Sequence, residues 1–207
     1  GANCLYTATN GIEYSIDYAD VYVNCPDGKF RKGRIMASLN KPFDETGAVA
    51  SLSFTGYTVN DLVLEGDNDI FNSGLSAGAL QMYGHEVPSA TLSFYDSTYH
   101  GSIHWESSKT YIWVQGKGTP DFDDDVFEII GTGSGADVNG VVFSAGIAEP
   151  LTNDLSCRWI RSGRTNLSTP GLDVKSGYIE YPGQDSCTNL VYYYFNGNPF
   201  LETFGKH

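Results

Sequence analysis

The chain has 207 residues, and 41% of them are hydrophobic, which is enough for one sizeable hydrophobic core. Its 12 basic side chains stand against 25 acidic ones, so the net charge is −13. Such a field repels phosphate backbones and anionic lipid, and the sequence therefore predicts no binding to nucleic acid. No stretch reaches the roughly 20 apolar residues that span a bilayer, which predicts no membrane insertion. Gly1 is typical of a processed terminus.

Short segments with alternating apolar and polar residues recur along the chain, as β-strands require. The first of them cover residues 14–18, 21–25, 35–39, 50–54 and 57–65, with breaks near Gly56 and near Asn60-Asp61. Residues 67–87 are rich in glycine, so we expect an irregular region there with at most one short helix. Strands are predicted again at residues 90–95, 101–107, 111–115, 126–130, 141–148, 156–162, 174–181 and 190–195.

These segments predict an all-β protein, either an extended antiparallel meander or a β-sandwich of roughly a dozen strands. Neither a linker nor an amphipathic helix of normal length interrupts the pattern. We therefore expect residues 1–207 to form a single continuous β domain. A boundary after residue 118 would divide it into sub-halves 1–118 and 119–207.

The four cysteines fall into two local pairs along the sequence, Cys4 with Cys25 and Cys157 with Cys187. None has the C-x-x-C spacing of zinc or thioredoxin-like sites. An even number of cysteines at wide spacing predicts two disulfides and an oxidising compartment, with four cytosolic thiols as the alternative. Pairing within each local pair is favoured because each bond then closes a short excursion between strands. The two crossed connectivities stay open.

An acidic loop is the strongest candidate for a metal site. Residues 116–125 include four carboxylates that are candidate calcium ligands: Asp121, Asp123, Asp124 and Asp125. Carboxylate oxygens suit Ca²⁺, but the glycine and the distal glutamate of an EF-hand loop are missing. The alternative is a solvated acidic turn that discourages strand pairing at a sheet edge. We predict no cofactor, and calcium is the one candidate.

No recognisable catalytic set is present. Ser102, His104 and Glu106 alternate along one predicted strand, and residues in line on a strand do not converge as a nucleophile, base and acid must. The glutamates are scattered rather than paired as in glycosidases. Residues 131–135 (GTGSG) follow a strand but precede no helix, so they predict a bulge or hairpin rather than a phosphate loop. We therefore expect the protein not to be an enzyme.

Exposed aromatic side chains are the candidate binding groups: Trp105, Tyr192, Tyr193 and Tyr194. Aromatic rings pack well against sugar rings. Because successive strand residues point to opposite faces, at least one of the three tyrosines must face away from the others. One face is then core, and the other is a surface for a partner.

From about residue 24 to residue 197 the chain resembles a family of secreted proteins and lipoproteins of unknown function from Bacteroidota. The resemblance rests on residues 28–35 (GKFRKGRI), 57–66 (YTVNDLVLEG), 101–107 (GSIHWES), 124–135 (DDVFEIIGTGSG), 139–140, 149–151 (EPL), 157–163 (CRWIRSG) and 185–187 (DSC). It implies export, an extended meander and often a lipid anchor, and it brings no catalytic residues. The chain differs from the family because no anchor cysteine stands at its start.

Taken together, the sequence predicts a non-enzymatic protein that is extracellular or on the cell surface. We expect it to make protein–protein contacts with a partner or with itself, as an assembly or accessory subunit. A carbohydrate-binding module that uses exposed aromatic side chains is the alternative.

Overall fold

The computed structural model describes residues 4, 6–8, 12–25, 28–95, 100–171, 176–183, 187–195 and 197–203 of the chain. Within these ranges almost all regular structure is β-strand, and the one helical element is a single 3₁₀ turn, Phe122–Asp124. No helix in this part of the chain is long and apolar enough to cross a membrane. The all-β prediction is confirmed.

The described residues form fourteen strands. The first seven are β1 Tyr6–Ala8, β2 Glu13–Asp17, β3 Val23–Asn24, β4 Phe30–Leu39, β5 Val49–Val59, β6 Leu62–Leu75 and β7 Gln81–Tyr95. The other seven are β8 His100–Gln115, β9 Val126–Ala136, β10 Val142–Asp154, β11 Ser162–Ser168, β12 Ser176–Pro182, β13 Leu190–Phe195 and β14 Asn198–Thr203. All belong to one antiparallel sheet whose order follows the sequence, with β3 off this path and paired to β4. The meander is thus the architecture observed.

Strand β5 shows how the alternating pattern produces the sheet. Ser51, Ser53 and Thr55 are exposed, whereas Leu52 and Phe54 are half-buried on the opposite face. This is the period of two that a sheet with one apolar face requires. The same alternation in the sequence was the basis for predicting the strand.

A small aromatic core lies under the strands at the start of the chain. Tyr18 and Tyr57 are 6% and 8% exposed, and their ring centroids are 5.8 Å apart. Phe54 packs against Tyr57 at the same centroid distance, 5.8 Å. The buried Cys25 belongs to the same cluster, which half-buried Ile35 extends. Burial of these rings contributes roughly 1.5–3 kcal/mol per large side chain.

The turn between β5 and β6 lies at Asn60-Asp61, where the sequence predicts a break. Asn60 adopts φ 51°, a left-handed conformation that asparagine tolerates better than most residues. Its Oδ1 accepts a hydrogen bond from the Phe30 amide at 3.0 Å. The side chain therefore ties the turn to the start of β4.

The prediction of an irregular region at residues 67–87 is wrong. Strands β6 and β7 cover it except for a tight turn at residues 76–80. Gly84 shows the reason, because a Cβ at this buried position would overlap the Phe71 ring. Glycine here makes room for a neighbouring ring rather than breaking the strand.

The strand predicted at residues 156–162 is also wrong. Strand β10 extends to Asp154, a turn follows, and β11 begins at Ser162. Asp154 stabilises the turn: its Oδ1 accepts the Ser156 amide at 3.0 Å and its carbonyl accepts the Cys157 amide at 2.8 Å. Alternating polarity around Cys157 therefore reflects a disulfide-anchored loop and not a strand.

The glycine run at residues 131–135 is neither a phosphate loop nor a hairpin. It lies inside β9, and the turn to β10 comes later, where Asp137 accepts hydrogen bonds from Asn139 and Gly140. Gly131 has φ 142°, and a Cβ there would collide with the Ser108 carbonyl oxygen. A bulge-like close approach of two backbones explains why glycine stands at this position.

Both predicted disulfides are confirmed. Cys4 bonds to Cys25 across 21 residues, and Cys157 bonds to Cys187 across 30. No free cysteine occurs in the part of the chain that the structure describes. The crossed connectivities and the free-thiol alternative are therefore excluded.

Contacts divide the chain into two units. Unit 1 comprises Gly1–Ser73, Gly84–Ser107 and Gly135–Gly140. Unit 2 comprises Gly74–Tyr83, Ser108–Ser134 and Val141–His207. Each unit contains one of the two disulfides. Unit 2 also contains the whole of strands β10 to β14, which carry the candidate site.

Candidate binding site on strands β10 to β14

The acidic loop uses its carboxylates to order its own backbone. Asp121 caps the 3₁₀ turn, because its Oδ1 accepts a hydrogen bond from the Asp123 amide at 3.0 Å. Asp124 Oδ1 accepts from the Thr119 hydroxyl at 2.8 Å. Asp125 is 4% exposed, and its Oδ1 accepts the Trp113 indole N–H at 3.0 Å. Three of the four candidate calcium ligands thus bond to groups of the chain itself.

No group of three or more His, Cys, Asp or Glu side chains among the described residues lies close enough together to hold a metal ion. Asp123, the fourth carboxylate of the loop, is exposed. The hydrogen bonds of the loop thus account for Asp121, Asp124 and Asp125 as acceptors.

The polar row on β8 does not form a catalytic set. Ser102 Oγ lies 2.9 Å from Ser93 Oγ, and His104 Nδ1 lies 2.9 Å from Thr91 Oγ1. Each side chain therefore bonds across to β7. Glu106 is exposed one further step along the same strand. The residues stay in line, as the strand geometry predicts.

The aromatic candidates lie in different units. Trp105 is half-buried on β8 in unit 1, and Tyr192, Tyr193 and Tyr194 are half-buried on β13 in unit 2. The Tyr192 and Tyr194 rings share one face, with centroids 6.3 Å apart. Tyr193 faces the other way and stacks on Phe195 at 6.5 Å. The β13 run therefore supplies two rings to one surface.

Strand register adds a third ring to that surface. Tyr178 of β12 lies directly opposite Tyr194, and the two rings stack with centroids 4.4 Å apart and an interplanar angle of 14°. Asn166 of β11 lies opposite Tyr178, and Gly146 of β10 lies opposite Asn166. Gly146, Asn166, Tyr178 and Tyr194 therefore form one row across strands β10 to β13.

An open cleft of about 620 Å³ borders this row and is called the tyrosine cleft below. A second row beside the first consists of Ser144, Ser168 and Ser176, which lie opposite one another on β10, β11 and β12. Because glycine and serine side chains are short, space remains beside the tall rings. The side chains with functional groups that line it are Ser144, Asn166, Ser168, Ser176, Tyr178 and Tyr194.

A charged row flanks the tyrosine row on its other side. Arg164 Nη2 lies 2.5 Å from Glu149 Oε1, and the Arg164 guanidinium lies over the Tyr178 ring at 5.4 Å from its centroid. Desolvation and the nearby Glu180 carboxylate raise the pKa of the Tyr194 phenol. Like an ordinary phenol, the Tyr194 hydroxyl keeps its proton at neutral pH, so it can donate a hydrogen bond.

Strand β14 forms one edge of the sheet. It pairs with β13, and no described strand pairs with its other side. All six of its residues are exposed, and Phe200 and Leu201 are each 53% exposed. Leu201 lies opposite Tyr192 and Phe200 opposite Tyr193, so the two apolar side chains occupy opposite faces.

Sequence reasoning found the β13 tyrosines but missed Tyr178 and Asn166. Alternation alone assigns Tyr178 to a face of β12, yet its stacking on Tyr194 depends on the register between two strands. The Tyr178–Tyr194 pair was therefore beyond the reach of a pattern argument.

Neither family models, nor curated proteins, nor solved structures give a match to this chain. The similarity to secreted Bacteroidota proteins thus stays a prediction.

Proposed function

We propose that this chain is a non-enzymatic, exported β-protein that makes protein–protein contacts at the edge strand β14, as an accessory or assembly subunit of an extracellular complex. The exposed edge is the single observation that carries the proposal. Sheet edges with free backbone groups pair readily with other strands, and natural proteins usually shorten, charge or cover them. β14 carries Pro199 and Glu202, but it also presents two large apolar side chains, Phe200 and Leu201.

The partner that fits this edge is an extended segment of another protein with basic side chains. β14 contains the carboxylate of Glu202 and no basic residue, and the whole chain has a net charge of −13. Charge complementarity favours a basic partner, and like charge opposes a second copy. Pro199 lacks an N–H, so we expect the added strand to pair along residues 200–203.

Two disulfides support export, because such bonds persist in oxidising compartments. Outside the cell a protein meets partners without the reducing systems of the cytosol. The proposed location is therefore extracellular or at the cell surface.

A photoreactive phenylalanine analogue tests the edge directly. Placed at position 200 in the native cell, it should cross-link one exported protein in good yield. Phe30, which is 49% exposed at the start of β4, gives the matched control position. We expect no such product from position 30.

The captured protein is then purified and its affinity is measured by titration. We expect Leu201→Lys to weaken binding at least tenfold and added salt to weaken it further, because opposite charges are screened. Equal cross-linking from both positions would overturn the proposal. So would a product that contains only two copies of this chain, or binding that Leu201→Lys leaves unchanged.

A further inference from the structure

We propose that the tyrosine cleft binds a neutral oligosaccharide. The site is separate from the strand edge, because its lining comes from β10 to β13 and from Gly197. It therefore does not depend on the proposed protein partner. Three properties of the lining carry the inference, namely its chemistry, its lack of charge and its length.

The chemistry of the lining matches that of a sugar ring. A pyranose has apolar C–H groups on its faces and hydroxyls around its rim. The stacked pair of Tyr178 and Tyr194 offers the first of these the aromatic carbon that its own stacking and Arg164 leave open to the cleft. Asn166 offers both a donor and an acceptor for the hydroxyls. Ser144 and Ser176 are exposed hydroxyls on the same face. Few precisely placed polar groups beside aromatic rings are typical of small-molecule sites.

The absence of charge in the lining selects a neutral ligand. None of the residues described as lining the cleft is acidic or basic. Arg164, the nearest base on the same face, is already paired with Glu149. The net charge of −13 further repels acidic sugars. A phosphate, sulfate or uronate group would thus find no oppositely charged side chain in the lining.

The length of the cleft selects an oligosaccharide over a single sugar. Its lining spans four neighbouring strands, β10 to β13. At about 4.8 Å per strand this distance is roughly 14 Å, which is longer than one sugar ring. The volume of about 620 Å³ falls within the range of sites that hold small molecules.

Calorimetric titration with defined tetrasaccharides of glucose, mannose, galactose and xylose tests the proposal, with oligogalacturonate as the acidic comparison. We expect saturable binding of at least one neutral tetrasaccharide and none of oligogalacturonate. Asn166→Ala should weaken binding severalfold without unfolding the chain, because Asn166 is an exposed side chain.

A blocking variant keeps the test independent of folding. Ser144→Phe fills the cleft from an exposed position on β10, and it should reduce binding more than tenfold. Ser38→Phe, at an exposed position on β4, is the matched control and should bind as the parent does. Failure of all four neutral sugars to bind would overturn the proposal. Tighter binding of oligogalacturonate, or equal affinity for the parent and Ser144→Phe, would also overturn it.

Discussion

At the scale of single residues, the contact between Trp113 and Asp125 connects the acidic loop to the sheet. Asp125 is almost completely buried, and a buried carboxylate is costly unless donors surround it. The indole N–H of Trp113 is one such donor, and the Trp113 ring also stacks on Phe127 at 5.5 Å. A loop that looked like a metal site in the sequence is held by a hydrogen bond from an aromatic side chain.

Replacement of Trp113 by phenylalanine removes that donor and keeps an aromatic ring. We expect the free energy of unfolding to fall by about 1–3 kcal/mol beyond the loss of packing, because a buried acceptor loses its partner. Urea denaturation measures this change in the free energy of unfolding. Trp105→Phe, the same change on the same strand, is the control. Equal losses in the two variants would contradict the assigned role of the bond.

At the scale of elements, glycines inside strands mark where two backbones approach closely. Gly163 of β11 has φ 114°, and a Cβ there would collide with the Pro150 carbonyl oxygen of β10. The register between these two strands shifts in the same region, as at a β-bulge. The glycine thus allows β10 and β11 to stay paired through an irregular step.

Alanine at position 163 should therefore destabilise the protein strongly, by about 2 kcal/mol or more, since both its φ and its space are unsuitable. Gly146→Ala on the neighbouring strand is the control. A Cβ at Gly146 meets nothing nearer than 4.0 Å, so this change should be neutral or slightly stabilising. Thermal unfolding of both variants gives the comparison, and similar midpoints would rule out the steric account.

The strands that could be predicted from the sequence are those in which apolar and polar residues alternate strictly. Strands such as β5 follow from period-two polarity, and the Asn60 turn follows from the conformational tolerance of asparagine. The failures at residues 67–87 and 131–135 share one physical cause, which is that glycine in a sequence is a signal for irregular structure. The failure at residues 156–162 has another cause, because alternating polarity also occurs in a disulfide-anchored loop. Gly84 and Gly131 lie inside strands because a ring or a carbonyl occupies the space of a side chain. That neighbour comes from another strand and is invisible in a local pattern.

At the scale of the whole molecule, each disulfide constrains a different unit. Few side chains are deeply buried, and the only large one that is essentially inaccessible in the described residues is Val191. We therefore expect the two cross-links to contribute a large share of the stability. Loop entropy alone assigns roughly 3–4 kcal/mol to each bond at separations of 21 and 30 residues.

Paired replacement of both cysteines of one bond by serine should lower the free energy of unfolding by about 3 kcal/mol. Hydrogen exchange should then accelerate mainly in the unit that lost its bond. The variant without Cys4 and Cys25 provides the comparison for the variant without Cys157 and Cys187. A loss below about 1 kcal/mol in both would contradict a dominant role for the cross-links.

The candidate site shows where sequence reasoning stops at this scale. The spacing of the cysteines favours both pairings, because each bond closes a local excursion, and the structure confirms them. The tyrosine cleft does not follow from spacing, because it needs the register of four strands at once. Tyr192 and Tyr194 were found as a run in the sequence, whereas Tyr178 joins them only through pairing between strands.

The order of the sheet has a consequence for how the chain acquires its fold. Because consecutive strands pair, most contacts between strands join segments that are near in sequence. Such a low contact order favours rapid folding. Hairpins can form one after another as the polypeptide emerges, without waiting for a distant partner. Oxidation of the two cysteine pairs takes seconds to hours and is then the slow event. The rate of maturation would then be set by thiol oxidation. A reducing environment would delay formation of the disulfides without blocking formation of the hairpins.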